Sequence, residues 1–118
     1  MLSGGQAPGG HNVIAGIYDS IKKISPKGEM IGFLDGPHGI FTGDYTVVDD
    51  DMMNRYRNTG GFDMLGSGRH KIESPEQFKS SMQVCTDLQL DGLVVIGGDD
   101  SNTNAAALAE YFEQNVRL

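Results

Sequence analysis

Leu90-Asp91-Gly92-Leu93-Val94-Val95-Ile96-Gly97-Gly98-Asp99-Asp100-Ser101-Asn102-Thr103-Asn104-Ala105 is the stretch on which the reading of the fold turns. An apolar run stops at two glycines, and two adjacent carboxylates then open a helix-forming segment. A buried strand feeding such a turn brings backbone N–H groups and a carboxylate to the carboxyl end of a sheet. Open α/β sheets bind ligands at that edge. One acid suffices to hold a magnesium ion, so the second needs its own explanation.

Strand and helix signals alternate on the way back to the N-terminus. Leu93–Ile96 is the best strand, with further strands expected at Met30–Leu34, Tyr45–Val48 and Phe62–Leu65. The first helix is expected from His11, with Ile14, Ile17, Ile21 and Ile24 on one face and Val13 beside them. Lys22, Lys23 and Lys27 suit its C-terminal dipole, and Pro26 and Gly28 stop it. Asp35-Gly36-Pro37-His38-Gly39 reads as a loop. Asp49-Asp50-Asp51 reads as the solvated first turn of a weak helix through Arg57, not as a metal site.

Ser74-Pro75-Glu76-Gln77 is a strong helix start, followed by a buried stripe of Phe78, Met82, Cys85 and Leu88. The last helix carries Ala105, Leu108, Ala109, Phe112 and Val116 on one face. This alternation predicts an α/β fold: a three-layer, Rossmann-like parallel sheet flanked by helices. No internal repeat interrupts it.

At 118 residues the chain is one domain at most, with a modest core. A hydrophobic content of 38% and a mean hydropathy of −0.30 suit a soluble globular protein. No apolar run approaches membrane-spanning length and no secretory leader precedes the first motif, so neither a membrane segment nor export is expected. The single Cys85 can form no internal disulfide, which fits a cytoplasmic setting.

A net charge of −7 leaves no basic footprint for nucleic acid. It would also repel an anionic substrate unless a metal ion or local dipoles intervened. The 17 glycines cluster in discrete runs, which points to tight loops instead of a linker.

Three such loops, residues 3–10, 66–69 and 97–101, each follow a strand position. In a parallel sheet they emerge from one edge. The first offers Gly4, Gly5, Gly9 and Gly10 for close backbone approach by an anion. Arg69 supplies a forked cation that matches phosphate oxygens, and Asp99 a hard oxygen ligand for Mg²⁺. Taken singly, each reads as a turn, a solvated arginine or a cap; taken together they favour a polyphosphate site.

His11, His38 and His70 lack metal-ligand spacing and read as loop residues, with Cys85 in the core. Leu2-Ser3-Gly4-Gly5-Gln6 matches the ABC-type ATPase signature, but the G-x-x-x-x-G-K-[ST] loop of those proteins does not occur here.

Three segments resemble the pyrophosphate-dependent 6-phosphofructokinases of the long-chain type. Ser3-Gly4-Gly5-Gln6-Ala7-Pro8-Gly9-Gly10-His11-Asn12 resembles their first phosphate loop. Gly61-Phe62-Asp63-Met64-Leu65-Gly66-Ser67-Gly68-Arg69 resembles the segment with the donor-binding arginine, and Gly97-Gly98-Asp99-Asp100-Ser101 the metal and donor loop. The motifs run in family order over essentially all 118 residues.

The resemblance implies phosphoryl transfer from pyrophosphate to the 1-hydroxyl of fructose 6-phosphate, with Mg²⁺, and the reverse reaction. By position it makes Gly5 a donor-phosphate contact, with Gly4 shaping the turn. Arg69 would stabilise donor charge, Asp99 would bind Mg²⁺, and Gly98 and Ser101 would frame the phosphates. Asp100 is the selectivity residue. ATP-using relatives carry glycine there, and a carboxylate would occupy the room and repel the charge of the nucleotide's innermost phosphate.

The family's sugar-activating aspartate lies in a P-K-T-I-D-type motif that does not occur in these 118 residues, and the first strand is reduced to Met1-Leu2. The expectation is therefore a single partial donor-binding domain over residues 1–118, inactive alone, with the fructose 6-phosphate site mostly elsewhere. Exposed sheet edges favour self-association into a homo-oligomer. The rival readings are an ATP-dependent phosphofructokinase or another G-G-D-G-type kinase, and a non-catalytic regulatory or phosphate-binding module.

Overall fold

The computed structural model describes residues 1–5 and 7–115. Helix α1 (Gly10–Ile24) is followed by strand β1 (Met30–Phe33), helix α2 (Pro37–Thr42) and strand β2 (Tyr45–Val48). Helices α3 (Asp50–Tyr56), α4 (Pro75–Asp87) and α5 (Asp99–Asn115) complete the order.

The parallel component of this α/β fold is short and central. Leu2 forms a parallel bridge with Ile96, and Ser3 forms one with Gly68. The Ser3 N–H donates to the Ile96 carbonyl at 2.8 Å, and the Ile96 N–H to Met1 at 3.0 Å. Met1–Ser3 thus lies between the end of the Leu93–Ile96 run and Gly68, and the Leu2 side chain is fully buried. The longer ladder is antiparallel: β1 pairs with β2 from Met30↔Val48 to Phe33↔Tyr45.

Three expected elements differ. Leu93–Ile96 forms no strand: only Ile96 pairs, through its bridge to Leu2, and Val94 is exposed. Phe62–Leu65 is a turn, not a strand: the N–H groups of Leu65 and Gly66 both reach the Phe62 carbonyl, at 3.3 and 2.7 Å. Within the expected loop at 35–39, α2 starts on Pro37 after Gly36 and ends on Gly43 in the left-handed region (φ 78°). Proline at the first helical position and a left-handed glycine at the end are helix punctuation. Here they flank a helix too short to show periodicity.

Helix α1 also turns a different face to the core. Gly10, His11, Ile14, Ala15 and Tyr18 are buried, whereas Val13 is 45% and Ile24 85% exposed. The 56–65 turn sets this face: the His11 N–H donates to the Gly61 carbonyl at 3.1 Å, and Phe62 packs over Gly10 where a side chain would clash.

The far end of α1 is tied to α3 by side chains. The Tyr18 hydroxyl donates to Asp50 Oδ1, which, with burial and the neighbouring carboxylates, pushes its pKa up to about 12. Arg57 forks onto Asp19 at 2.8 and 3.0 Å. That pairing holds the Asp19 carboxyl below its ordinary range and raises the guanidinium.

One cluster of buried side chains joins Leu2, Ile14, Tyr18, Met53, Phe62 and Leu65. A second joins Phe33, Ile40, Ile72 and Leu108, with Phe78, Cys85, Leu88 and Phe112 packed against it. Cys85 therefore lies at the core as expected, and burial pushes its thiol up to about 11. Ala109 is exposed, and Val116 lies outside the described residues. No helix among those described is long and apolar enough to cross a membrane.

Candidate functional site

The central bridges bring the three glycine loops together. With Ser3 held by Ile96, the next residue reaches the opposite side: the Gly4 N–H donates to the Gly68 carbonyl at 2.8 Å. Ser101 Oγ donates to Ser3 Oγ at 2.8 Å, closing the third loop onto the first. Gly4 sits at φ +91°, a conformation that costs a residue with a Cβ, and so turns the chain out of the strand.

Arg69 lies across the next peptide. A Cβ added at Gly5 would stand 2.7 Å from its guanidinium Nη2, so any larger residue would displace the arginine. The Arg69 side chain is exposed, and no carboxylate pairs with it among the described residues. Its charge is free for an incoming anion.

Asp99 and Asp100 both lie in the first turn of α5 and are exposed. The Asn102 N–H donates to the Gly98 carbonyl at 3.0 Å, which puts Gly98 at the cap position and Asp100 inside the helix. Asp100 is therefore not the helix cap. Gly98 has no side chain to satisfy the first-turn N–H groups, and those groups have no acceptor within the helix. The site combines free N–H donors and a free guanidinium with two carboxylates. This mixed polarity suits an anion that arrives with a cation.

Among the described residues no group of three or more His, Cys, Asp or Glu converges. Mg²⁺ takes one or two carboxylates and completes its shell with water and substrate phosphate oxygens, so the exposed Asp99 carboxylate fits it without a second protein ligand.

Sequence reading missed three residues here. A Cβ at Gly97 would stand 2.5 Å from Ser101 Cβ and 2.8 Å from the Ser3 carbonyl, whereas one at Gly98 would meet nothing within 4 Å. Gly97 is thus the glycine this turn requires sterically. His11 is a buried residue of α1, not a loop residue: its Nε2 accepts the Met64 N–H at 2.9 Å, and its Nδ1 meets Thr59 Oγ1 at 2.9 Å. An accepting Nε2 places the ring proton on Nδ1, so a neutral imidazole fastens α1 to the turn before Arg69. Asn104 likewise holds Ile72; only its position after a strong loop motif could have drawn attention to it.

His38 is also helical, in α2, with its ring centroid 5.3 Å from that of His70. His70 itself is exposed and outside any helix or strand.

A sequence model of the family described as "Phosphofructokinase" matches residues 1–117. The chain belongs to the phosphofructokinase family.

Over 112 residues it is 59% identical to the "Pyrophosphate--fructose 6-phosphate 1-phosphotransferase" of Treponema pallidum, covering 95% of this chain and 20% of that protein. It is 57% identical over 112 residues to "subunit beta 2" of the enzyme of the same name from Arabidopsis thaliana, with the same two coverages. The chain thus spans about a fifth of the length of these curated relatives.

Among solved structures, a "Pyrophosphate-dependent phosphofructokinase from Nitrosospira multiformis" superposes with a TM-score of 0.84 at 21% identity. That match covers 96% of this chain and 29% of the other, and it shows the phosphofructokinase α/β fold.

Proposed function

We propose that this phosphofructokinase chain is the donor side of a pyrophosphate-dependent enzyme. It would bind pyrophosphate with Mg²⁺ for phosphoryl transfer to the 1-hydroxyl of fructose 6-phosphate. The observation that carries the reading is the joining of three loops by Ser3, Gly4 and Ser101, with an unpaired Arg69 lying across Gly5. The printed names of relatives 57–59% identical to the chain support the choice of donor.

In the reaction, the bond from the bridging oxygen of pyrophosphate to the transferred phosphorus breaks, and inorganic phosphate leaves. A new bond forms to the sugar's C1 oxygen, whose proton passes to a base. The first-turn N–H groups of α5 and the backbone at Gly5 would hold donor oxygens, with Gly4 shaping the turn, while Arg69 offsets the charge that develops on them. Asp99 can hold Mg²⁺, which when bound would neutralise phosphate charge and link donor to protein.

Asp100, one residue beyond the metal ligand, puts bulk and negative charge where a nucleotide's innermost phosphate would otherwise sit. None of the 118 residues forms a P-K-T-I-D-type segment, so the base is assigned to a part of the enzyme outside this chain. The chain alone is expected to form no fructose 1,6-bisphosphate. We place the enzyme in the cytoplasm as a homo-oligomer, on its single cysteine and its open sheet edge.

Parallel calorimetric titrations of pyrophosphate and ATP, each with Mg²⁺, test the reading. Pyrophosphate should bind saturably and ATP should not, and Asp100→Gly should admit ATP. Equal binding of both donors by the unaltered chain would overturn the assignment.

A further inference from the structure

The backbone that carries Arg69 is anchored on both sides. Before it, the Gly68 carbonyl accepts the Gly4 N–H at 2.8 Å. After it, Ile72 is gripped by one side chain from α5: Asn104 Oδ1 accepts the Ile72 N–H at 3.0 Å, and Asn104 Nδ2 donates to the Ile72 carbonyl at 2.7 Å. The amide thus imitates a strand partner for a residue that has none. Ile72 is 2% exposed and packs with Leu108 of the same helix, so the grip is reinforced from below. Only Arg69, His70 and Lys71 span the two anchors, and all three are exposed.

We infer that Asn104 is a positioning residue for the donor site. It does not belong to the phosphate-contacting set. It sits on the helix whose first turn bears Asp99 and Asp100, and it grips the segment that bears Arg69. It therefore fixes the separation between the cationic and the metal-binding halves of the site. Asparagine suits the task because one amide offers a donor and an acceptor in a single plane. Alanine offers neither, and glutamine offers both from a longer stem that shifts Ile72. The inference rests on the donor-site reading given above.

The test uses the 118-residue chain with two variants, Asn104→Ala and Asn104→Gln, and inorganic pyrophosphate with Mg²⁺ as the probe. In the unaltered chain the Arg69 Nε–H resonance should shift on pyrophosphate addition, and the Ile72 amide should exchange slowly with solvent. Asn104→Ala should weaken pyrophosphate binding about ten-fold, the scale of losing a supporting residue behind a ligand. It should also speed Ile72 exchange and abolish the Arg69 shift. Asn104→Gln, which retains the hydrogen-bonding groups and therefore the fold, should show a smaller loss with an altered Arg69 shift.

Asn115→Ala is the control, because among the described residues that amide bonds the Tyr111 carbonyl of its own helix and nothing else; it should change neither readout. If the unaltered chain binds pyrophosphate and both Asn104 variants bind it equally well, the positioning role is wrong and the donor site stands. If the unaltered chain itself fails to bind pyrophosphate, the donor-site reading falls and takes this role with it.

Discussion

Helices α3 and α4 begin on a side chain, whereas α1 and α5 begin on a glycine. Asp49 Oδ1 accepts the Met52 N–H at 2.8 Å to start α3, and Ser74 and Gln77 form a reciprocal capping box at α4. Gly9 starts α1 without a side-chain cap, and Gly98 holds the equivalent position at α5. A good cap stabilises a helix by about 1 kcal/mol, and the chain forgoes that gain at both, as it does at α2 after Gly36. The starts of α1 and α5 both follow loops that meet at Ser3; α5 leaves first-turn N–H groups without an intrahelical acceptor, whereas at α1 the His11 N–H goes to the Gly61 carbonyl. The two capped helices supply scaffold, and of the three uncapped ones α1 and α5 border the site.

The difference can be broken most severely at Gly97. Gly97→Ala forces a Cβ against Ser101 and the Ser3 carbonyl, and such overpacking costs about 1–3 kcal/mol. Urea denaturation should show that loss, and calorimetry should show pyrophosphate binding abolished. Removing the cap of α4 by Ser74→Ala should cost about 1 kcal/mol in the same denaturation experiment and leave pyrophosphate affinity unchanged.

Adding a cap to α5 sharpens the contrast. A side chain at Gly98 meets nothing within 4 Å, so Gly98→Ser should stabilise the fold by a few tenths, roughly 0.3 kcal/mol. It should weaken pyrophosphate binding, because the new hydroxyl would take an N–H meant for the ligand. A gain in both stability and affinity would contradict the division of labour.

Away from the site the effects are smaller. The Tyr18 pKa is raised above that of an unfolded chain to about 12, so its contribution is fully present below about pH 10. It is lost as the pH rises from about 10 to 12, and Tyr18→Phe should remove that part of the pH dependence from chemical denaturation curves. Ser81 Oγ in α4 is fully buried without a hydrogen-bond partner among the described residues. Ser81→Ala should therefore be neutral, or stabilising by less than about 1 kcal/mol, in thermal unfolding.

Elements governed by local chemistry were legible in the sequence. Ser74-Pro75-Glu76-Gln77 announced α4 through its own side chains, and the two four-residue strands β1 and β2 fell inside their apolar runs. Elements governed by distant backbone were not. Phe62–Leu65 has a strand's composition but turns between Gly61 and Gly66, both at positive φ, while Phe62 covers Gly10. The isoleucine stripe of α1 has helical spacing, yet only Ile14 of it is buried, because the core meets the face on which the 56–65 turn packs.

The site shows the same split. Gly5, Arg69, Asp99 and Ser101 lie in recognisable motifs, whereas His11 and Asn104 matter through contacts with residues 53 and 32 positions away, and Gly97 through a link between residues 98 positions apart. For Gly97 the contact is indirect, through the Ser101–Ser3 bond that its missing side chain permits. No local pattern records such partners.

The central claim is that three loops form one donor site. It is tested most directly by following backbone amide resonances while Mg²⁺ and pyrophosphate are titrated into the chain. The account predicts that Gly5, Arg69 and Ser101 shift together along one saturation curve with a single Kd. Separate curves for the three loops, or a response confined to one of them, would contradict it.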